Sequence, residues 1–134
     1  MHRSLKAVLE LTKSRSGKHA SRRLAFIITE EGDLRELKHG SKCIKCKTYA
    51  EGEAREVEVE LGRGEYLALV WLVRNLRNHV KGEILLLNSK GDMVFRAVYR
   101  RLKLRRTHGD PKYAWMVRVI ADRIGLYVKK YSLE

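Results

Sequence analysis

The stretch from Gly64 to Arg101, GEYLALVWLVRNLRNHVKGEILLLNSKGDMVFRAVYRR, constrains the fold more than any other part of the chain. Leu67, Val70, Trp71, Val73 and Leu76 fall close to helical spacing, with Arg74, Arg77 and Asn78 on the wet side, which predicts a helix over 64–80. Ile84 to Leu87 form a continuous apolar run, the pattern of a central strand covered on both faces, and predict a strand over 83–87. Residues 91–101 read as a second helix, with Met93, Val94, Ala97 and Val98 inward. On this reading Glu65, in the first helical turn, and Asn88, just past the strand, face one another across a crevice.

The flanking sequence adds further elements. Leu5, Ala7, Leu9 and Leu11 alternate with other residues and predict a strand over Ser4–Thr12, followed by a basic, glycine-containing turn at Ser14–Ser21. Leu24–Thr29 is a second strand, Glu31-Gly32-Asp33 a hairpin turn, and Leu34–Leu37 its return. A short strand is expected at Cys43–Tyr49. Glu56–Leu61 alternates acid and aliphatic, placing Glu56, Glu58 and Glu60 outward and Val57, Val59 and Leu61 inward. Leu102–Leu104 reads as a short return. Asp110-Pro111 opens another helix by cap-then-proline logic, with Tyr113, Val117, Ile120 and Ile124 on its apolar side. Gly125 is expected to end it, and Leu126–Ser132 to form a last strand.

Within this pattern EYLALVWLVRNL, followed by ILLLNSKGDMVFRAVYRR, resembles the core of ribonuclease H, a family with a Glu-Tyr-x-Ala-Leu helix start and a following strand that ends in Asp-Ser. KAVLELTKSRSGKHASRRLAFIITEEGDLREL is similar to that family's first strand, glycine turn and second strand. Tyr113–Ile124 and Leu126–Tyr131 are similar to its next helix and fifth strand. The resemblance implies an α/β fold, a ribonuclease H-like mixed five-stranded sheet flanked by helices, with residues 1–134 as one domain. It also implies a site where acids hold two magnesium or manganese ions, one activating water and one steadying the leaving oxygen. Carried onto this chain, the helix-start acid is Glu65. The first-strand position falls at Thr12 or Lys13, the after-strand position is Asn88, and the fourth acid has no counterpart. Glu10 and Asp92 are the acids nearest the vacated positions. The expectation is a degenerate site on a chain that binds nucleic acid without cutting it and carries no cofactor. The alternative is a divergent metal-dependent nuclease using Glu65 with relocated acids.

Charge supports a polyanionic partner independently of the resemblance. The 134 residues carry a net charge of +13 with a pI near 10.0. Residues 1–24 hold seven Lys/Arg against one acid, and residues 66–134 hold fifteen against five, whereas 25–65 hold seven against ten. Two basic groups stand out: Arg15, Lys18, Arg22 and Arg23 in the first turn, and Arg96, Arg100, Arg101, Lys103, Arg105 and Arg106, with no acid between Val94 and Gly109. YRRLKLRR resembles in placement the basic protrusion with which some ribonuclease H-like proteins hold hybrid duplexes. Duplex or structured RNA, DNA or hybrid is therefore the expected partner, gripped by its phosphates and sugars. The absence of Gln and the 34% of charged residues also fit a thermophile's surface. Cys43-x-x-Cys46 has the spacing of half a zinc site or a redox pair, but with no second pair two ordinary thiols are expected rather than zinc. A protein-interaction subunit of a nucleoprotein assembly, or a homodimer paired through an edge strand at Glu56–Leu61, is the remaining class. No apolar run approaches a membrane span and no signal segment is evident, so a soluble cytoplasmic protein is expected.

Overall fold

The computed structural model describes residues 4–14, 19–37, 43–49, 52–74 and 80–130, with backbone alone at 43–49 and 129–130. Over these residues the chain forms strands β1 (Ser4–Lys13), β2 (Ala20–Thr29), β3 (Leu34–Glu36), β4 (Cys43–Tyr49), β5 (Gly52–Glu60), β6 (Glu65–Arg74), β7 (Val80–Leu87), β8 (Met93–Arg100) and β9 (Lys103–Gly109). A 3-10 turn at Pro111–Tyr113 then leads into helix α1 (Ala114–Lys130). The strands make one antiparallel sheet in the order β4-β5-β1-β2-β6-β7-β8-β9, with β3 added to β2.

This overturns the ribonuclease H-like expectation. In place of a mixed five-stranded sheet flanked by helices, the described residues hold one antiparallel sheet, in which β6 to β9 form a meander, with one α-helix after it. The predicted helix over 64–80 is strand β6 as far as Arg74, and the predicted helix over 91–101 is strand β8. Both faces of β6 are covered along much of its length, so apolar residues fall at nearly every position and mimic helical spacing. Leu67 is buried on one face, and Ala68, Val70 and Leu72 on the other. Tyr66, Val70, Trp71 and Val73 add the β-branched and aromatic content that a pleated strand favours.

The two faces belong to two apolar clusters. Even-numbered residues of β2, β6 and β7 (Phe26, Ile28, Ala68, Val70, Ile84, Leu86) join Phe95 and Ala97 of β8 beneath α1, which buries Met116, Val117, Ile120, Ile124, Tyr127 and Val128. On the opposite face, Ala25, Ile27 and Leu67 pack with Ala7 of β1, Val57 and Val59 of β5, and Leu61. β1 pairs with β2 only over Glu10–Lys13 and Ala20–Arg23, while it follows β5 from Ser4 to Thr12. The edge of β2 left uncovered, Phe26–Ile28, is taken by β3. Burial on both sides explains the unbroken apolar run Leu24–Ile28.

The alternation at Glu56–Leu61 holds, with Val57, Val59 and Leu61 buried. Its assignment as an edge does not: β5 pairs with β1 along its length and with β4 over Gly52–Val57. The Asp110 cap holds too, its Oδ1 accepting from Lys112 N at 3.0 Å. Gly125 does not end the helix, and the strand expected from Leu126 is helical as far as Lys130. Ile120, Ile124, Tyr127 and Val128 continue one stripe. Burying Tyr127 edge-on against Phe26, with centroids 6.3 Å apart, outweighs the cost of about 1 kcal/mol for an interior helical glycine.

Candidate nucleic-acid interface

The odd-numbered face of β6 changes character along the strand. Leu67 is fully buried under β1 and β5, Leu69 is half-buried, and Trp71 is 40% exposed. From Trp71 onward no second layer covers this face among the described residues. Residues directly opposite one another in antiparallel strands share a face, so the register defines its composition. One row runs Arg23, Trp71, Glu83, Val98, Arg106 across β2, β6, β7, β8 and β9. A second runs Val73, Lys81, Arg100, Lys103, and a third Leu69, Leu85, Arg96, His108.

Between these rows lies an open groove of about 980 Å³. Five of its lining residues are cationic, Lys81, Arg100, Arg101, Arg105 and Arg106, against the one carboxylate of Glu83. That carboxylate is already engaged: Arg96 Nε donates to Glu83 Oε1 at 2.7 Å. The hydrogen bond from this pair, then its charge attraction, raises the pKa of the Arg96 guanidinium above its ordinary value.

Local backbone geometry delivers the cations. β8 and β9 are joined by two residues, Arg101 and Leu102, both with positive φ (55° and 64°), where an Asn-Gly pair would sit with less strain. A register shift between Val98 and Tyr99 makes Arg105 the extra residue of a bulge, so that it and Arg106 both line the groove. At the far end of β9, Gly109 (φ 118°) approaches the carbonyl of Val94 so closely that no β-carbon fits.

Trp71 is held at the edge of this groove. Its Nε1–H donates to Ser21 Oγ at 3.1 Å, and the Arg23 guanidinium lies 5.2 Å from the indole centroid. Arg23 is also 3.8 Å from the Glu10 carboxylate.

The residues expected from sequence divide sharply. Arg100, Arg101, Arg105 and Arg106 line the groove, and Lys103 and Arg96 lie on its rows. Arg23 is on the same face, but Arg22 is on the other: it is buried, with its guanidinium 5.9 Å from the Tyr127 ring. Arg15 and Lys18 lie outside the described residues. Cys43 and Cys46 fall opposite Val57 and Arg55 of β5, and their side chains are likewise outside the description.

The carboxylate site does not assemble. Glu65 opens β6 opposite Thr29, whereas Glu10 stands opposite Arg23 at the level of Trp71, six residues or roughly 20 Å along the strand. Glu65 Oε1 accepts from Gly62 N at 2.6 Å, fixing the turn before β6. Asn88 Oδ1 accepts from Lys90 N and Asp92 N at 2.9 and 3.0 Å, so Asn88 and Asp92 both belong to the β7–β8 hairpin turn. Among the described residues, no three His, Cys, Asp or Glu side chains are grouped to hold a metal ion.

Comparison with protein-family models, curated proteins and solved structures finds no match to this chain. Among the described residues, no helix is long and apolar enough to cross a membrane. Two site residues lay outside the sequence expectation, Trp71 and Lys81. A period of two over 65–74 would have placed Trp71 with Leu67 and Leu69 on one face, but the helical reading merged it with the core.

Proposed function

We propose that this chain is a nucleic-acid-binding protein that engages RNA, DNA or a hybrid of the two through the open face of β6–β9, without cleaving it. The observation that carries the reading is the groove itself, in which five cations from three strands and one turn converge on a single face beside one neutralised acid. Phosphates spaced along a strand are the complement of such a surface, and guanidinium groups suit them because they bind phosphate oxygens in pairs. The sheet presents the cations on rigid backbone, so little ordering is needed on binding. Binding without chemistry is favoured because Glu65, Asn88 and Asp92 are committed to turns, and Glu10 stands beside Arg23. A cytoplasmic location is consistent with such a partner.

The test is fluorescence anisotropy with labelled RNA, DNA and hybrid strands over a salt series, with and without magnesium or manganese. The reading requires affinity that falls steeply with salt and strands that remain intact. Salt-independent binding, or none, would refute it; metal-dependent cleavage would restore the nuclease alternative.

A further inference from the structure

We infer that Trp71 is a base-stacking platform and that the preferred occupant of the groove is single-stranded RNA or DNA, with an unpaired base laid on the indole. This rests on the nucleic-acid reading above and narrows its substrate class. Trp71 is 40% exposed, with the cations of the basic groove on one side and Val8, Leu69 and Leu85 on the other. It lines two recesses at once, the basic groove and a smaller one of about 230 Å³ bordered by Lys6, Val8, Arg23 and Leu85. The indole therefore stands as a partition between them, with Glu83 also lining both. Its orientation is set before any ligand arrives, by the hydrogen bond to Ser21 and by the Arg23 guanidinium near the ring.

A duplex has no use for such a surface, because the flat faces of its bases are already stacked on one another and only its sugars, phosphates and groove edges are presented. An unpaired base offers a free π-face, and every base has one. An aromatic ring beside a row of cations meets both needs of a single strand, stacking for the base and charge for the backbone. The groove cations would follow the phosphates on either side of the stacked nucleotide, so binding would tolerate many sequences.

The test uses the full chain with Trp115→Phe, which leaves Trp71 as the sole indole of the two in the sequence. A short single strand, the duplex of the same sequence, and an abasic strand of equal length are titrated while tryptophan emission and anisotropy are followed. The normal single strand should quench Trp71 emission, and the abasic strand, which keeps every phosphate, should not. Trp71→Leu should weaken single-strand binding about five- to hundredfold, Trp71→Phe less, and both should leave duplex and abasic-strand affinities nearly unchanged. Equal affinity for normal and abasic strands, or unquenched emission in a saturated complex, would overturn the stacking role while leaving salt-dependent phosphate binding in place. Failure of every strand and duplex to bind would instead overturn the reading on which it rests. Quenching is read on unaltered Trp71, so the outcome does not depend on how well the Trp71 variants fold.

Discussion

The groove predicts a specific salt dependence and a specific way to reduce it. Each cation that neutralises a phosphate releases counterions, and for a single strand the logarithm of affinity falls with the logarithm of salt by about 0.7 per contact. If all five lining cations, Lys81, Arg100, Arg101, Arg105 and Arg106, contribute, the slope is about −3.5, and affinity falls about hundredfold between 50 and 200 mM salt. Arg100 and Arg106 are on the strands rather than in the turn, opposite Lys81 and Val98, so truncating them leaves the β8–β9 connection intact. Arg100→Ala with Arg106→Ala should bring the slope to about −2.1 and the same salt-induced loss to about twentyfold. Arg123→Ala is the control, since Arg123 is an exposed residue of α1 with the same charge, and α1 packs on the other face of the sheet. Anisotropy titrations at four or more salt concentrations measure all three slopes. An unchanged slope in the groove variant, or an equal reduction in the Arg123 variant, would mean that the cations act only through net charge and that the groove is not the contact surface.

Other perturbations follow from the same geometry. Glu83→Gln removes the groove's carboxylate and frees Arg96, so single-strand affinity should rise a few-fold and the slope should steepen by about 0.7, as the same titrations would show. Burial first, then the Asp122 carboxylate, raise Tyr99 above the ordinary value of 10.0, with Arg118 opposing. The folded state thus keeps a proton that the unfolded state releases, so this contribution to stability is complete below pH 10.0 and declines as pH rises through the folded value. Tyr99→Phe should flatten the alkaline fall in denaturation midpoint. Leu102→Gly relieves a left-handed residue (φ 64°) and should stabilise the fold by about 1 kcal/mol in urea unfolding. Ile120→Ala, at a fully buried position on the sheet-facing side of α1, should cost about 2–5 kcal/mol in the same assay.

How much of this was legible in the sequence depended on how many faces of each strand are covered. β1 and β5 are covered on one side, so Leu5-x-Ala7-x-Leu9 and Val57-x-Val59 alternate, and the alternation identifies both as strands. β6 is covered on both sides for its first half and on one side afterward, so its pattern is neither strictly alternating nor uniformly apolar, and a helix fitted it by coincidence. That error carried the fold, because the similarity to ribonuclease H rested on Glu65-Tyr66-Leu67-Ala68-Leu69 opening a helix, whereas these residues open a strand. The helix at Asp110-Pro111 was legible because capping is local chemistry, and its end was not, because only burial of Tyr127 and Val128 carries the chain past Gly125. The clustering of charge along the sequence does not depend on the fold. Six basic residues between Arg96 and Arg106 remain a cluster whether on a helix or a hairpin, although only the register reveals that Lys81, Arg100 and Lys103 share a row.

The register also accounts for the position of the proposed site. α1 buries the even-numbered face of β6 and β7 together with Phe95 and Ala97 of β8, while β1 and β5 bury the odd-numbered face of β6 only as far as about Leu69. Beyond that point no second layer covers the odd-numbered face of β6 among the described residues, and apolar residues there would form an exposed patch of the kind that promotes association. The chain places Lys81, Arg96, Arg100 and Arg106 in that region and retains one large aromatic, Trp71, at the boundary. Solvation explains polar side chains there, but not five cations beside a single carboxylate. It does not explain an indole left 40% exposed and fixed by Ser21 and Arg23, where a second arginine or a threonine would serve the sheet equally well. Nor does it explain two left-handed residues in the turn that carries Arg101 into the groove, strain that a plain Asn-Gly hairpin would avoid. Both features add cost to the fold and place a flat ring and a fixed charge within one groove, which is what recognition of an unpaired, phosphate-linked base requires.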